Sequence, residues 1–485
     1  MKAVIEGLKP ESLWRYFAEL SRIPRESKNE AAVMTWIESV SKKLNLSYKK
    51  DEVGNIVISK PASPGYENRT PVVLQGHVDM VCEKNSDTIH DFQKDQIELV
   101  RDGEYMRANG TTLGADNGIG VAAALAVLED KTLVHPPLEA LFTIDEETGL
   151  TGANFLKPGF VKGKILLNGD SEEDGALYVG CAGGKQTDVV FDIAWEKAPQ
   201  DKVAVALKIS GLLGGHSGLD IDQGRANAIK QLNRIVWKIA ETTCIRLSYL
   251  DGGSKHNAIP REATYRILVA ASDLEKLTKD LAGFEMMLNN EYKGVERGIK
   301  LTVEKLTEYP TQVFTKEFQA RVLNCLYAIP HGVKRMSPSI KGLVQTSTNA
   351  AIVRTVDNQI RILTSQRSSI ASEIQGVADK VTACGRLAGA EVTQGGGYPS
   401  WTPNMDSKIL ALMKNVYADL FGVEPHVKAI HAGLECGIIG ATSPGMDMIS
   451  FGPTILGAHS PDERVEIKTV ENFWRLLVET LKRIE

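Results

Sequence analysis

Apolar positions recur at helical spacing near the start of the chain, at Leu13, Phe17 and Leu20 and again at Val33, Ile37 and Val40. This spacing predicts two helices that each lay one face on a core. Short apolar runs bounded by turn residues follow at 55–59, 72–74, 138–144, 165–167 and 446–451. Runs of that length with little polar alternation predict strands buried on both faces. Between the second and third run lies an Ala- and Val-rich helical stretch, 118–130. Strand and helix therefore alternate as in an α/β sheet with helices on its faces.

The pattern changes after Cys181-Ala-Gly-Gly184, where longer amphipathic stretches alternate with polar strands, and changes back at Gly395-Gly396-Gly397. Two glycine hinges bracketing such a segment predict an inserted outer domain at 186–397. The main domain is then discontinuous, made of 1–185 and 398–485. No short internal repeat is present.

Size supports more than one core, because 485 residues exceed what a single core usually serves. Composition is that of a globular chain, with 43% apolar and 24% charged residues. The 56 basic and 61 acidic residues give a formal net charge of −5 and form no long block, which argues against a nucleic-acid partner. Neither a signal-like apolar segment at the start nor a run of about 20 apolar residues occurs, which argues against export and against a membrane partner. The six cysteines lie far apart with no CxxC pair, as suits the reducing cytoplasm.

Against this background five motifs carry chemistry. Gln75-Gly76-His77-Val78-Asp79 follows the second strand run, which sets a histidine at a strand's C-terminal end, where ligands of α/β sheets gather. In extended chain His77 and Asp79 point to one side, so one imidazole nitrogen is free for a metal while Asp79 accepts a hydrogen bond from the other. Gly114-Ala115-Asp116-Asn117-Gly118 precedes the helical stretch. Its glycines invite a phosphate reading, but no phosphate-loop pattern is present and Asp116 would repel phosphate. Asp145-Glu146-Glu147 ends a strand, and strand alternation would send Glu146 and Glu147 to different sides, one for metal and one free to move a proton. Asn168-Gly169-Asp170 and Gly457-Ala458-His459 place a further acid and a further histidine after strands.

Each motif alone has a plain reading as a helix cap or a solvated turn. Together they put several acids and two histidines after successive strands of one sheet. Two divalent ions would balance three carboxylate ligands and one hydroxide. Such a pair lowers the pKa of water from roughly 15.7 toward about 7 and polarises a carbonyl. The histidine and carboxylate set suits zinc first, with manganese or cobalt after it.

With those residues in view, the chain resembles the M20 metallopeptidases, specifically the aminoacyl-histidine dipeptidase (cytosol non-specific dipeptidase) branch, nearly end to end. The signatures are His77-Val-Asp79-Met, Thr112-Leu-Gly-Ala-Asp116-Asn-Gly-Ile-Gly120, Asp145-Glu-Glu-Thr-Gly149, Asp170-Ser-Glu-Glu173, Gly214-Gly-His-Ser-Gly218, His431-Ala-Gly-Leu-Glu-Cys-Gly437 and His459-Ser-Pro-Asp-Glu463. One departure is Cys82, where the resemblance leads one to expect proline.

The resemblance implies an α/β zinc-peptidase catalytic domain, its mixed sheet flanked by helices, with an α+β lid inserted. It implies that Asp116 bridges two zinc ions, His77 and Asp170 completing one and Glu147 and His459 the other, while Asp79 orients His77. Glu146 is then the general base, and His216 in the lid stabilises the oxyanion. Asn257 and Arg367 are implied to hold the substrate's C-terminal carboxylate. The function implied is hydrolysis of unblocked dipeptides, Xaa-His dipeptides among them, by a cytoplasmic enzyme that is a monomer or a homodimer. The rivals are an N-acyl amino acid deacylase or carboxypeptidase of the same fold and, more distantly, a non-catalytic metal- or peptide-binding module.

Overall fold

The computed structural model describes residues 3–485. The chain divides into two compact units, one made of residues up to Cys181 with Trp401–Ala429 and Leu434–Glu485, the other of Ala182–Ser400 with Ile430–Gly433. Among the described residues no helix is long and apolar enough to cross a membrane.

The first unit is built on an eight-stranded mixed sheet. Its strands lie in the order Ser47–Lys50, Ile56–Lys60, Leu138–Thr143, Val72–His77, Ile165–Asn168, Asp447–Ser450, Ala176–Cys181 and His426–Ile430. The four strands from Leu138–Thr143 to Asp447–Ser450 run parallel. Strands Val72–His77 and Leu138–Thr143 are buried at every position, as continuous apolar runs in a parallel sheet should be.

Helix Ala115–Glu129 packs on Val72–His77 and on helix Glu11–Leu20. Leu13, Phe17 and Leu20 are fully buried, each such burial contributing about 1.5–3 kcal/mol before entropy. The second predicted helix spans Ala31–Lys43 and buries Val33, Ile37 and Val40.

Parallel registration does the positioning. His77 pairs with Thr143 and Gln75 with Asn168, so the C-terminal ends of three neighbouring strands lie side by side. The residues that follow those ends are Val78 and Asp79, Ile144 to Glu147, and Gly169 and Asp170.

One expectation is corrected here. Glu146 and Glu147 are not separated by strand alternation: Asp145 turns the chain into the left-handed region at φ 48°, and both acids open a short helix, Glu146–Gly149. A residue in that region ends the pleat, so the period-2 argument no longer applies.

The second unit is antiparallel. A nine-stranded sheet contains the long hairpin Val344–Val356 and Gln359–Ser368, flanked by Gly183–Asp192 and Glu391–Tyr398 on one side. Its core joins Leu232, Ile235, Val236 and Ile239 of helix Ala228–Thr242 to Tyr265, Phe314 and Phe318. The two-stranded ladder of Gly215–His216 with Ala258–Ile259 stands apart from that sheet.

Candidate metal centre

His77 is 1% exposed, and its Nε2 lies 3.1 Å from Asp116 Oδ1 and 3.2 Å from Asp170 Oδ1. His459 Nε2 lies 3.1 Å from Asp116 Oδ2 and 3.1 Å from Glu147 Oε2. Asp116 thus turns one carboxylate oxygen to each histidine. Two groups of three potential ligands result, His77 with Asp116 and Asp170, and His459 with Asp116 and Glu147. Glu146 also approaches, forming a third group with His77 and Glu147.

Local structure explains each placement. Asp116 and Asn117 lie outside helical geometry, so regular helix begins only beyond them. Asn117 Nδ2 donates to Asp170 Oδ1. His459 adopts φ 62° in a turn where Ser460 Oγ donates to the carbonyl of Gly457. Asp79, fully buried, accepts from the backbone N–H groups of Glu146 and Glu147 at 3.0 and 3.2 Å and from Ser27 Oγ at 2.8 Å. Its carboxylate also lies 3.3 Å from His77 Nδ1. Asp79 therefore ties the His77 segment to the Glu146–Glu147 segment as well as facing the imidazole.

The electrostatics are those of a cation site. Ion pairs to Asp116, Glu147 and Asp170, among the described residues, come from the two histidines alone. Burial raises the pKa of Glu147 and of Asp170. Burial resists charge on Asp116 too, but His459 and His77 outweigh it and hold that carboxylate low. Burial likewise opposes charge on His77, yet Asp170 and Asp116 hold it well above the usual imidazole value. Contacts with Asp116 and Glu147 push His459 up to about 11.

A divalent cation held between these groups would supply the counter-charge that the buried carboxylates otherwise draw from the two histidines. Glu147 Oε1 is buried with no hydrogen-bond partner, a cost the fold recovers once that oxygen meets a ligand. The donor set and the orphaned oxygen both fit a pair of metal ions.

The three other expected site residues lie together in the second unit. His216 Nδ1 accepts from the backbone N–H of Leu219 at 3.1 Å, and its Nε2 lies 3.5 Å from Arg367 Nη2. The carbonyl of Asn257 accepts from the backbone N–H of Ser217 at 2.8 Å. Arg367 Nη1 donates to Tyr398 Oη at 2.7 Å, while its Nε is buried without a partner. Burial, with Arg367 next, pushes the His216 pKa down to about 4.

Three features had no role assigned by sequence. Glu435, fully buried, accepts from Gln75 Nε2 at 2.5 Å and Thr143 Oγ1 at 2.7 Å, and burial lifts its pKa to about 7. His431, in the same motif, contacts Ser347 Oγ at 2.7 Å within the second unit. Glu463 accepts backbone hydrogen bonds from the Asp116 loop. The available signal was an acid or histidine amid small and apolar neighbours, which also describes many solvated turns.

Comparison with known proteins adds the following. The profile of peptidase family M20/M25/M40 matches residues 73–483. The chain is 43% identical over 480 residues to the cytosol non-specific dipeptidase of Escherichia coli (strain K12), covering 99% of both. The aminoacylhistidine dipeptidase of Vibrio alginolyticus superposes with a TM-score of 0.90 at 43% identity, over 99% of this chain and 98% of that one. A tripeptidase from Staphylococcus aureus, at 17% identity and a TM-score of 0.56 over 98% of each chain, shares the fold.

Proposed function

Because the chain belongs to peptidase family M20/M25/M40, we propose that it is a two-metal dipeptidase that hydrolyses the peptide bond of unblocked dipeptides, Xaa-His dipeptides included. The observation that carries this reading is the Asp116 carboxylate, one oxygen toward each histidine group, with Glu146 adjacent. His77, Asp116 and Asp170 would hold one divalent ion, and Asp116, Glu147 and His459 the other. Zinc is the first candidate, with manganese or cobalt next. When bound, such a pair polarises the peptide carbonyl and makes water acidic enough to attack at neutral pH.

The protein's own groups do the rest. Asp79 faces His77 Nδ1 and leaves Nε2 for the metal. Glu146 takes the proton of the attacking water on its carboxylate and returns it to the departing amine nitrogen as the C–N bond breaks. His216, with Nδ1 occupied as an acceptor, carries its proton on Nε2 and donates there to the substrate carbonyl oxygen as charge develops. Asn257 and Arg367 bind the substrate's terminal carboxylate, the guanidinium retaining an unpartnered Nε for it. The enzyme works in the cytoplasm on small peptides, as a monomer or a homodimer.

Dipeptides, tripeptides and N-acetylated dipeptides, each offered with zinc, manganese or cobalt, test the reading. Unblocked dipeptides should be cut, and chelation should stop the reaction. Preference for the acetylated substrates would instead identify a deacylase, and no cleavage with any metal would remove the enzymatic reading.

A further inference from the structure

Arg25 is only 2% exposed, an unusual position for a guanidinium. Its Nη1 donates to the carbonyls of Val78 at 2.8 Å and Asp79 at 3.1 Å, and its Nη2 to that of Gly114 at 2.6 Å. Glu463, also 2% exposed, takes the other side of the same loop. One carboxylate oxygen accepts from the N–H groups of Leu113 and Gly114 at 2.7 and 2.9 Å. The other accepts from Ala115 at 2.7 Å and, more weakly, from Asp116 at 3.4 Å. The Gly114 residue is thus gripped at its N–H by the anion and at its carbonyl by the cation.

Burying either charge costs several kcal/mol unless its hydrogen bonds are met. Here three bonds from the guanidinium and four to the carboxylate, all with backbone groups, offset that cost.

The glycines of the motif make room for this arrangement. A Cβ on Gly114, which sits at φ +69°, would fall 2.2 Å from Arg25 Nη2 and 2.8 Å from Met80 Sδ. A Cβ on Gly118 would come within 3.0 Å of the same nitrogen. Room for Arg25, and at Gly118 equally for the Phe17 ring at 3.0 Å, accounts for the glycine at both positions.

Chain connectivity shows what is being joined. Val78 and Asp79 directly follow His77, residues 113–116 end at the shared carboxylate, and Glu463 lies four residues beyond His459. We propose that Arg25 and Glu463 are positioning residues that set the two metal subsites, Arg25 fixing Asp116 against His77 and Glu463 fixing it against His459. This inference rests on the two-metal reading above.

Metal binding tests it without recourse to turnover. Zinc titration calorimetry and the visible spectrum of the cobalt-loaded protein are recorded for wild type, Glu463→Gln and Arg25→Lys, with circular dichroism confirming the fold. Glu463→Gln sets an amide against backbone donors and should weaken one ion by about 10–100-fold while leaving the other within a few-fold, with an altered cobalt spectrum. Arg25→Lys keeps the charge but loses the fork, and should weaken one ion by about tenfold or more even if Glu463→Gln fails to fold. Two ions bound at wild-type affinity by a folded variant, with an unchanged cobalt spectrum, would overturn this inference alone. Fewer than two ions in the wild type would overturn the metal centre and the inference with it.

Discussion

In the first unit His77 faces three carboxylates and His459 two, and both are held above the ordinary imidazole range, whereas in the second unit His216 and His431 lie near Arg367 and are pushed down to about 4 and about 3. The residue type is the same and the surroundings are opposite. Acids around a histidine make a place for a cation, so the first cluster suits metal. A buried guanidinium beside neutral imidazoles suits carbonyl and carboxylate oxygens, so the second cluster suits the polar ends of a peptide. Electrostatic context, more than the presence of histidine, separates the two jobs.

Four experiments can break or sharpen this contrast. The largest effect is expected from His77→Ala, which should lose metal measured by elemental analysis and lower kcat/KM by more than about 10³-fold, because metal polarisation supplies several kcal/mol. Full metal content in that variant would remove His77 from the cage. Glu146→Gln should keep both ions yet lose activity by about 10²–10⁴-fold, and wild-type turnover would sink its role as base. His216→Ala should keep both ions and lower kcat by about 10²–10³-fold; a change confined to KM would assign it to binding instead.

The smallest effect concerns pH and stability. His431 has a folded pKa below its unfolded value, because burial and then Arg367 and His216 disfavour its charge. Above about pH 6.5 both states are neutral and its contribution is intact. As pH falls below that value the unfolded chain takes up a proton that the folded protein refuses, so stability declines until the folded pKa near 3 is reached. Melting temperatures of the metal-free protein between pH 6.5 and 4 should therefore fall less steeply in His431→Gln. Identical slopes would show that His431 titrates alike in the folded and unfolded protein.

Legibility followed the range of the interactions. Strand runs such as 72–74 and 138–144 could be read because a strand buried on both faces is mostly apolar, and helix Glu11–Leu20 because its apolar spacing is local. The acids and histidines after those strands could be suspected for the same reason. The assignment of ligand, base and lid residue came instead from resemblance to a family. The local period failed at Asp145, where one left-handed residue replaced strand alternation by a helical turn.

By itself, then, the sequence determined an α/β unit with chemistry at three of its strand ends and the family to which the chain belongs. It left open the antiparallel course of the second unit's sheet and set His459 after a strand of the main sheet, whereas His459 follows Ile455–Leu456 of a separate four-stranded sheet. Only the tertiary structure decided that Asp116 divides its two oxygens between His77 and His459, that Asp79 also holds the backbone of Glu146 and Glu147, and that Arg25 and Glu463 grip one glycine from both sides. Patterning reports which face of an element is buried, a property of neighbours in the chain. These contacts join residues tens to hundreds of positions apart, and their partners are set by sheet register and loop closure, which no local period encodes.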